Sequence, residues 1–129
     1  MRRFLFLFIV LIYTSCDKNK ELQTYSESYH IVNGDTLSYI FVPNTFTPNG
    51  DGINDFFFPI CNGIPNGNYN LKIYNLGGEV IFETSHPDQD WDGSNRGYDC
   101  ENGNYKWKIW AKDHFEYEYD LEGEIHLLK

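Results

Sequence analysis

The sequence predicts an all-β protein, an antiparallel β-sandwich of about seven strands. Short segments alternate apolar and polar residues with a period of two, as half-buried strands do, and turn residues such as Gly, Asn and Asp separate them. No window of about 11 residues shows an apolar period of 3.6, and the chain has one alanine and one methionine, so helix formers are scarce. A small open barrel is the alternative that this pattern leaves open.

Length and charge limit the function classes. The 129 residues allow one domain, or one domain with a tail. The formal net charge of −9 argues against nucleic-acid binding, because phosphates require a basic face. The aromatic content of 18% is too high for a disordered acidic chain and predicts a packed core.

The first 15 residues have the pattern of a lipoprotein signal peptide. Two arginines precede nine unbroken apolar residues, 4–12, which as a helix would span roughly 14 Å and so could not cross a hydrocarbon core of ~30 Å. Small residues then lead to Cys16, as in a bacterial lipobox, so Cys16 is predicted to carry a covalent lipid. Ordinary cleavage near Ser15, with a free Cys16, is the alternative.

The polar segment 16–28 is predicted to be a flexible tether behind the lipidated cysteine. Because an acidic chain is not attracted to an anionic lipid surface, the membrane contact would be made by the acyl chains. The expected location is the outer membrane, and the sequence leaves open the periplasmic or the cell-surface face.

The predicted β-module covers residues 29–129. Residues 29–32 and 36–42 are expected to form a hairpin around an Asn-Gly-Asp turn. A short apolar strand is expected at 56–60. Further strands are predicted from alternation and Gly turns at 69–75, 79–83, 105–110, 115–119 and 123–128.

Two cysteines remain after the lipid cysteine is set aside. In an exported protein such thiols usually pair, so a disulfide between Cys61 and Cys100 is expected, with a stabilisation of about 3–4 kcal/mol from loop closure. Two buried free thiols are the alternative.

The stretch 47–55 follows the spacing of calcium loops. With Gly52 at the sixth position, the candidate ligands are Thr47, Asn49, Asp51, the carbonyl of Ile53, and Asp55. The twelfth position, normally a bidentate Glu, is Phe58, so such a site would be weak. The alternative, which the residues favour, is an Asx-rich turn whose side chains satisfy backbone N–H groups.

A second acidic loop contains Asp90 and Asp92, which could supply further calcium ligands or form a turn. The two carboxylates lie two residues apart in one loop, so catalysis is not expected. The four histidines show no metal-ligand spacing, and no nucleophile motif is present.

The three tryptophans, Trp91, Trp107 and Trp110, could form a stacking surface for sugars. In a sandwich this small, core and edge positions are the favoured alternative.

The most specific stretch is FVPNTFTPNGDGINDFF at residues 41–57. It resembles the opening of the gliding-motility-associated C-terminal domain, also called the type B sorting domain of type IX secretion. Later motifs agree with that family in order: LKIYN at 71–75, GGEVIF at 77–82, DWDG at 90–93, CENGNYKW at 100–107 and GEIHLLK at 123–129. The resemblance covers about residues 39–129.

The resemblance implies an immunoglobulin-like sandwich that acts as an address for the type IX apparatus in secreted proteins of Bacteroidota. Since only a tether separates the domain from Cys16, we expect a non-catalytic outer-membrane lipoprotein that docks as an accessory subunit. The expected partner is an outer-membrane β-barrel or another component of the type IX or gliding machinery, contacted through a strand edge and a loop face. No small-molecule substrate is expected.

Two alternatives remain from the sequence. One is a surface-exposed glycan-binding lipoprotein that uses the three tryptophans. The other is type IX cargo displayed at the cell surface, whose domain still acts as a sorting signal.

Overall fold

The computed structural model describes residues 25–129, and every regular element in this range is a β-strand. The strands are β1 (Tyr25–Val32), β2 (Asp35–Pro43), β3 (Thr45–Phe46), β4 (Ile60–Asn62), β5 (Tyr69–Tyr74), β6 (Val80–Thr84), β7 (Ser94–Asn95), β8 (Tyr98–Asp99), β9 (Gly103–Lys112) and β10 (Glu118–Leu127). The described range contains no helix that is long and apolar enough to cross a bilayer. The predicted signal peptide, the lipid on Cys16 and the tether up to residue 24 lie outside the described residues.

The strands form two main sheets and one small ribbon. The smaller sheet has the order β1-β2-β4, the larger one has the order β3-β10-β9-β5-β6, and β7 pairs with β8. All pairs are antiparallel except β3 with β10. This arrangement confirms the predicted all-β antiparallel sandwich. It has more than seven strands because several are only two or three residues long.

The core lies between the two sheets and follows the period of two. Alternate residues of β5 and β9 are buried, and so are alternate residues of β2 on the facing sheet. The buried apolar side chains are Ile40, Val42, Phe46, Phe57, Tyr69, Leu71, Ile73, Trp91, Trp107, Ile109, Ala111, Tyr119, Ile125 and Leu127. Each large one contributes about 1.5–3 kcal/mol of hydrophobic stabilisation.

The predicted hairpin at the start of the domain is confirmed, with a two-residue turn. Val32 pairs with Asp35, and between them Asn33 and Gly34 have φ values of 53° and 88°, as a turn of this hand requires. The first strand begins at Tyr25, so it includes the last four residues of the predicted tether. This earlier start is explained by pairing of β1 with the whole of β2.

The strand predicted at 56–60 is not formed. Within this range only Phe57 and Ile60 are paired: Phe57 forms an isolated bridge with Trp91, and Ile60 is the first residue of β4. Pro59 has no N–H group for a ladder hydrogen bond, which explains why the segment does not continue as a strand.

The separate strands predicted at 115–119 and 123–128 are one continuous strand, β10, that begins at Glu118. Gly123 was expected to begin a strand but lies in the middle of one, opposite Trp107. A Cβ atom at Gly123 would lie 2.6 Å from Cζ2 of Trp107, so the glycine makes room for the indole ring.

A buried carboxylate joins the two sheets. Asp113, directly after β9, is 1% exposed, and its Oδ2 lies 2.5 Å from Nδ1 of His30 and accepts a 2.7 Å hydrogen bond from the Ser38 hydroxyl. Its Oδ1 accepts hydrogen bonds from the backbone N–H groups of Phe115 and Tyr117, at 2.8 and 2.9 Å. The first two partners lie on β1 and β2, so Asp113 connects the small sheet to the β9–β10 turn.

Candidate functional site

The loop 47–55 is organised around one carboxylate. Asp55 Oδ1 accepts hydrogen bonds from the backbone N–H groups of Asn49 and Gly50, at 3.1 and 2.8 Å, and Oδ2 accepts one from Gly52 at 2.7 Å. The hydrogen bond from Gly50 lowers the pKa of Asp55 most, burial opposes it, and the bonds from Gly52 and Asn49 add to the lowering. Asp55 is therefore held as an anion by its own loop.

Two successive Asx turns complete this loop. Asn49 Oδ1 accepts from the N–H of Asp51 at 3.0 Å, and Asp51 Oδ1 accepts from the N–H of Ile53 at 2.8 Å. Each turn has a glycine at its centre: Gly50 with a φ of 79° and Gly52 with a φ of 82°, in a region of backbone conformation that favours glycine. The side chains thus bond to the backbone in the pattern of an Asx-rich turn.

The calcium hypothesis receives no support from this geometry, and it stays a prediction. The Thr47 hydroxyl donates to the carbonyl of Ile53 at 3.4 Å, so two of the candidate ligands bond to each other. Asp92 Oδ1 accepts from both the N–H and the hydroxyl of Ser94, at 2.9 and 2.6 Å, which assigns it to a turn. Within residues 25–129, no group of three or more His, Cys, Asp or Glu side chains is placed to hold a metal ion.

Asp55→Asn is expected to speed hydrogen exchange at the amides of Gly50 and Gly52, because an amide offers one acceptor oxygen where the carboxylate offers two. The exchange would be measured by NMR, with Asp51→Asn as a control that keeps its acceptor oxygen. Added calcium should leave the rates of the wild-type protein unchanged. Slower exchange with calcium would show that the loop binds the metal.

The disulfide predicted between Cys61 and Cys100 is not formed, and both thiols are free. Cys61 interacts with Tyr69, which pairs with Ala111 at one end of β9, whereas Cys100 interacts with Tyr105 near the other end. Tyr105 and Ala111 are six residues apart in β9, which corresponds to about 20 Å. A disulfide requires Cα atoms within about 7 Å. Burial raises the pKa of the Cys61 thiol to about 12.

The three tryptophans do not form the possible stacking surface, and two of them occupy the core positions that the sequence favoured. Trp91 and Trp107 are 1% and 2% exposed, and only Trp110 is accessible, at 40%. Positions 107 and 110 are an odd number of residues apart in one strand, so their side chains point to opposite faces of the sheet. Trp91 is fixed in the core, where its Nε1 donates to the carbonyl of Ser94 at 2.8 Å.

A groove of about 340 Å³ opens beside the small sheet. It lies between the end of β2 and the segment 52–60, with one wall formed by the second acidic loop. The lining residues are Phe41, Pro43, Thr45, Gly52, Asn54, Asp55, Phe56, Phe58, Ile60 and Asp90.

The groove results from the isolated bridge between Phe57 and Trp91. Their backbone groups exchange two hydrogen bonds, of 2.8 and 3.1 Å, and both side chains are buried. Because side chains alternate along an extended chain, the neighbours of Phe57 point outward, and Phe56 and Phe58 are 55% and 43% exposed. Asp90, beside Trp91, lines the same groove.

Aromatic residues continue from the groove across the outer face of the small sheet. The ring of Phe41 lies 4.9 Å from that of Tyr39 and 5.5 Å from that of Tyr29, measured between centroids. Ile60 pairs with Phe41 in the register of β2 and β4, and it is 46% exposed. The groove and this face share Phe41 and Ile60, and we call the two together the aromatic face.

Charge is distributed unequally between the two sheets. The segments 25–46 and 56–62, which carry the aromatic face, contain no Lys or Arg. The large sheet carries Lys72, Lys108 and Lys112, each with a Glu carboxylate within 4.0 Å. The outer surface of the large sheet is thus mixed in charge, whereas charged groups at the groove are acidic.

Asp90 differs from Asp55, the other carboxylate that lines the groove. Its Oδ1 is buried and has no hydrogen-bond partner among residues 25–129. Burial raises the pKa of Asp90, and the neighbouring charge of Asp88 raises it further. Asp90 is therefore half-buried, and one of its oxygens is a buried acceptor without a donor.

The sequence did not single out the phenylalanines of this groove. A signal was present in the run of three at 56–58: in any extended chain, the outer two point opposite to the middle one. Burying Phe57 therefore exposes Phe56 and Phe58.

Comparison with known families places most of the described residues in one family model. Residues 40–122 match the family model described as the CHU_C type IX secretion signal domain. A search of curated proteins finds no significant match. The matched range includes the whole lining of the groove, whereas His30 and Ser38, which bind Asp113, precede it.

Proposed function

The chain belongs to the family of type IX secretion signal domains, and we propose that it is an outer-membrane lipoprotein that docks onto the type IX secretion or gliding machinery. It acts there as an accessory subunit, through binding and without catalysis. The proposal depends above all on the family match over residues 40–122. A type IX secretion signal indicates a secreted or cell-envelope protein; the lipid anchor rests on the sequence pattern at Cys16.

The aromatic face supports a role in protein binding. Contiguous exposed apolar surface is uncommon on proteins that remain alone, and it marks sites of interaction. Strand β4 lies at one edge of the small sheet, where a partner strand can be added through main-chain hydrogen bonds. By contrast, the polar side chains of loop 47–55 are occupied in holding their own backbone.

Gentle detergent purification of the tagged native protein from outer membranes tests the proposal. We expect an outer-membrane β-barrel or another type IX component to be recovered with it, and an N-terminal peptide that begins at a lipid-modified Cys16. A second outer-membrane lipoprotein with the same tag controls for shared membrane fragments. Recovery of the protein alone would contradict the docking role.

Cargo displayed at the cell surface is the second candidate, because the family match is to a secretion signal. A reporter inserted between Cys16 and Tyr25 distinguishes the two roles in cells with and without a working type IX system. Reporter exposure that requires the system would identify the chain as cargo. Exposure, or retention in the periplasm, that is independent of the system would favour the accessory subunit.

A further inference from the structure

The groove combines exposed apolar side chains with an acid that lacks a donor. Phe56 and Phe58 are about half exposed, and they line the groove together with Asp90. Single exposed apolar residues are ordinary, but here they continue onto the ring of Phe41 and the side chain of Ile60. An occupant of this groove must offer an apolar group.

The same occupant must also offer a hydrogen-bond donor. Buried polar atoms are almost always paired, and Asp90 Oδ1 has no partner among residues 25–129. Asp55, which also lines the groove, already accepts three backbone N–H groups, so it requires no further donor. Of the two carboxylates at the groove, Asp90 is therefore the one that lacks a hydrogen-bond donor.

A positive charge fits this position better than a neutral donor. The segments that carry the aromatic face contain no Lys or Arg that could neutralise Asp90, and Asp88 is adjacent in sequence. A guanidinium or ammonium group can pair with the carboxylate of Asp90. The same cation can lie over the ring of Phe58 in a cation–π contact. Groove and occupant are then complementary in charge.

The shape of the site favours an extended segment. Ile60 lines the groove and is the first residue of the edge strand β4, so a chain that leaves the groove meets an unpaired strand edge. Main-chain pairing there gives affinity, while alternate side chains enter the groove.

From these observations we propose that the groove binds an extended segment of the docking partner, in which a Lys or Arg pairs with Asp90 and an apolar side chain two residues away packs on Phe58. This inference rests on the proposed docking function. It adds to that function the contact surface and the chemistry of the partner.

Photo-cross-linking of the full-length protein in its native membranes tests the inference. A p-benzoylphenylalanine is placed at position 58, in the groove, or at position 110, on the outer face of the large sheet. We expect cross-links from position 58 to a type IX component, and mass spectrometry should place them beside a Lys or Arg of that component.

A matched pair of variants tests the charge. Asp90→Asn keeps the shape of the side chain and should reduce the cross-link from position 58 by about tenfold or more, since it removes the negative member of the proposed ion pair. Asp120→Asn, on the exposed outer side of β10, should leave the yield unchanged. Thermal unfolding of both variants confirms that they are folded.

The outcomes separate this inference from the proposed function. If a type IX component is recovered with the protein but cross-links only from position 110, or from neither position, docking stands and the groove is overturned. A cross-link from position 58 to a second copy of this chain also overturns it, as does an unchanged yield with Asp90→Asn. If no type IX component is recovered at all, both proposals fail.

Discussion

Asp113→Ala is expected to lower the free energy of unfolding by about 3–5 kcal/mol. This is the typical cost of removing the charged side chain from a buried, hydrogen-bonded cluster. The carboxylate is 1% exposed and accepts hydrogen bonds on both oxygens. Alanine would leave the Ser38 hydroxyl and the backbone N–H groups of Phe115 and Tyr117 without this acceptor. Each buried donor without a partner costs about 1–3 kcal/mol.

The loss would also affect how β1 is held. The ring of His30 stacks on Tyr117 at 4.2 Å between centroids, and its Nδ1 lies against Asp113. The Ser38 hydroxyl is also within 2.6 Å of the Tyr119 hydroxyl, so the cluster joins both sheets. Hydrogen exchange in Asp113→Ala should therefore increase first in β1, before the larger sheet is affected.

Asp113→Asn separates the charge from the shape. Burial raises the pKa of Asp113, but hydrogen bonds from His30, Ser38 and the backbone of Tyr117 and Phe115 together bring it below its usual value. Since the pKa is lower in the folded state, the charge contributes stability above about pH 4, and this contribution is lost as the pH falls through the folded-state pKa. The asparagine variant should lack this part of the acid sensitivity.

Urea unfolding at pH 7 and at pH 3 measures both effects. The difference in free energy of unfolding between wild type and Asp113→Asn should be largest at pH 7 and smaller at pH 3. Asp120→Ala, an exposed position on β10, should change the free energy of unfolding by no more than about 0.5 kcal/mol. A difference for Asp113→Asn that is equal at both pH values would show that its charge contributes nothing.

Local pattern was sufficient to predict several strands and one turn. Residues 69–74 and 103–112 alternate in sequence and in burial, because one face of each strand packs on the core. The Asn33-Gly34 turn was predicted because few other pairs adopt positive φ at both positions. Specific motifs also identified the family, which the match over residues 40–122 confirms.

Contacts between distant residues were beyond such patterns. Asp113 meets His30 and Ser38 across 83 and 75 residues, and nothing near Asp113 in the sequence indicates those partners. The disulfide was predicted from the number of cysteines, whereas the distance between Cys61 and Cys100 is set by the length of β9. Such distances depend on the sheet order, which alternation does not specify.

The groove also depends on a contact between distant residues, so local sequence pattern did not predict it. It exists because Phe57 pairs with Trp91, and this bridge joins segments more than thirty residues apart. Alternation alone could have exposed either the middle or the outer phenylalanines of the run 56–58. Phe57 is the buried one because it pairs with Trp91, whose indole packs in the core beside the ring of Phe46.

Trp91→Ala is the second substitution with a large expected effect, about 3–5 kcal/mol in the free energy of unfolding. The indole is 1% exposed, and its ring lies 5.2 Å from that of Phe46 and 5.4 Å from that of Tyr105. Alanine would leave a cavity and remove the hydrogen bond from Nε1 to Ser94. Trp91→Phe keeps most of the apolar volume and should cost less, about 1–3 kcal/mol.

Far-UV circular dichroism in urea measures these changes without relying on tryptophan fluorescence. Trp110→Ala is the matched control: the same residue type is removed from a position that is 40% exposed, so the expected loss is below about 1 kcal/mol. If Trp110→Ala cost more than Trp91→Ala, the assignment of Trp91 to the core would be wrong.

Trp91 also connects stability to the groove. The bridge between Trp91 and Phe57 joins the segments that carry Phe58 and Asp90, so the shape of the proposed docking groove depends on a core side chain, Trp91. Under conditions where Trp91→Ala remains folded, it should still reduce cross-linking from position 58, because loss of the indole loosens the segments on both sides of the bridge. Trp110→Ala should leave that cross-link unchanged, since its side chain lies on the outer face of the other sheet. Equal yields from Trp91→Ala and wild type would mean that the groove keeps its shape without the indole.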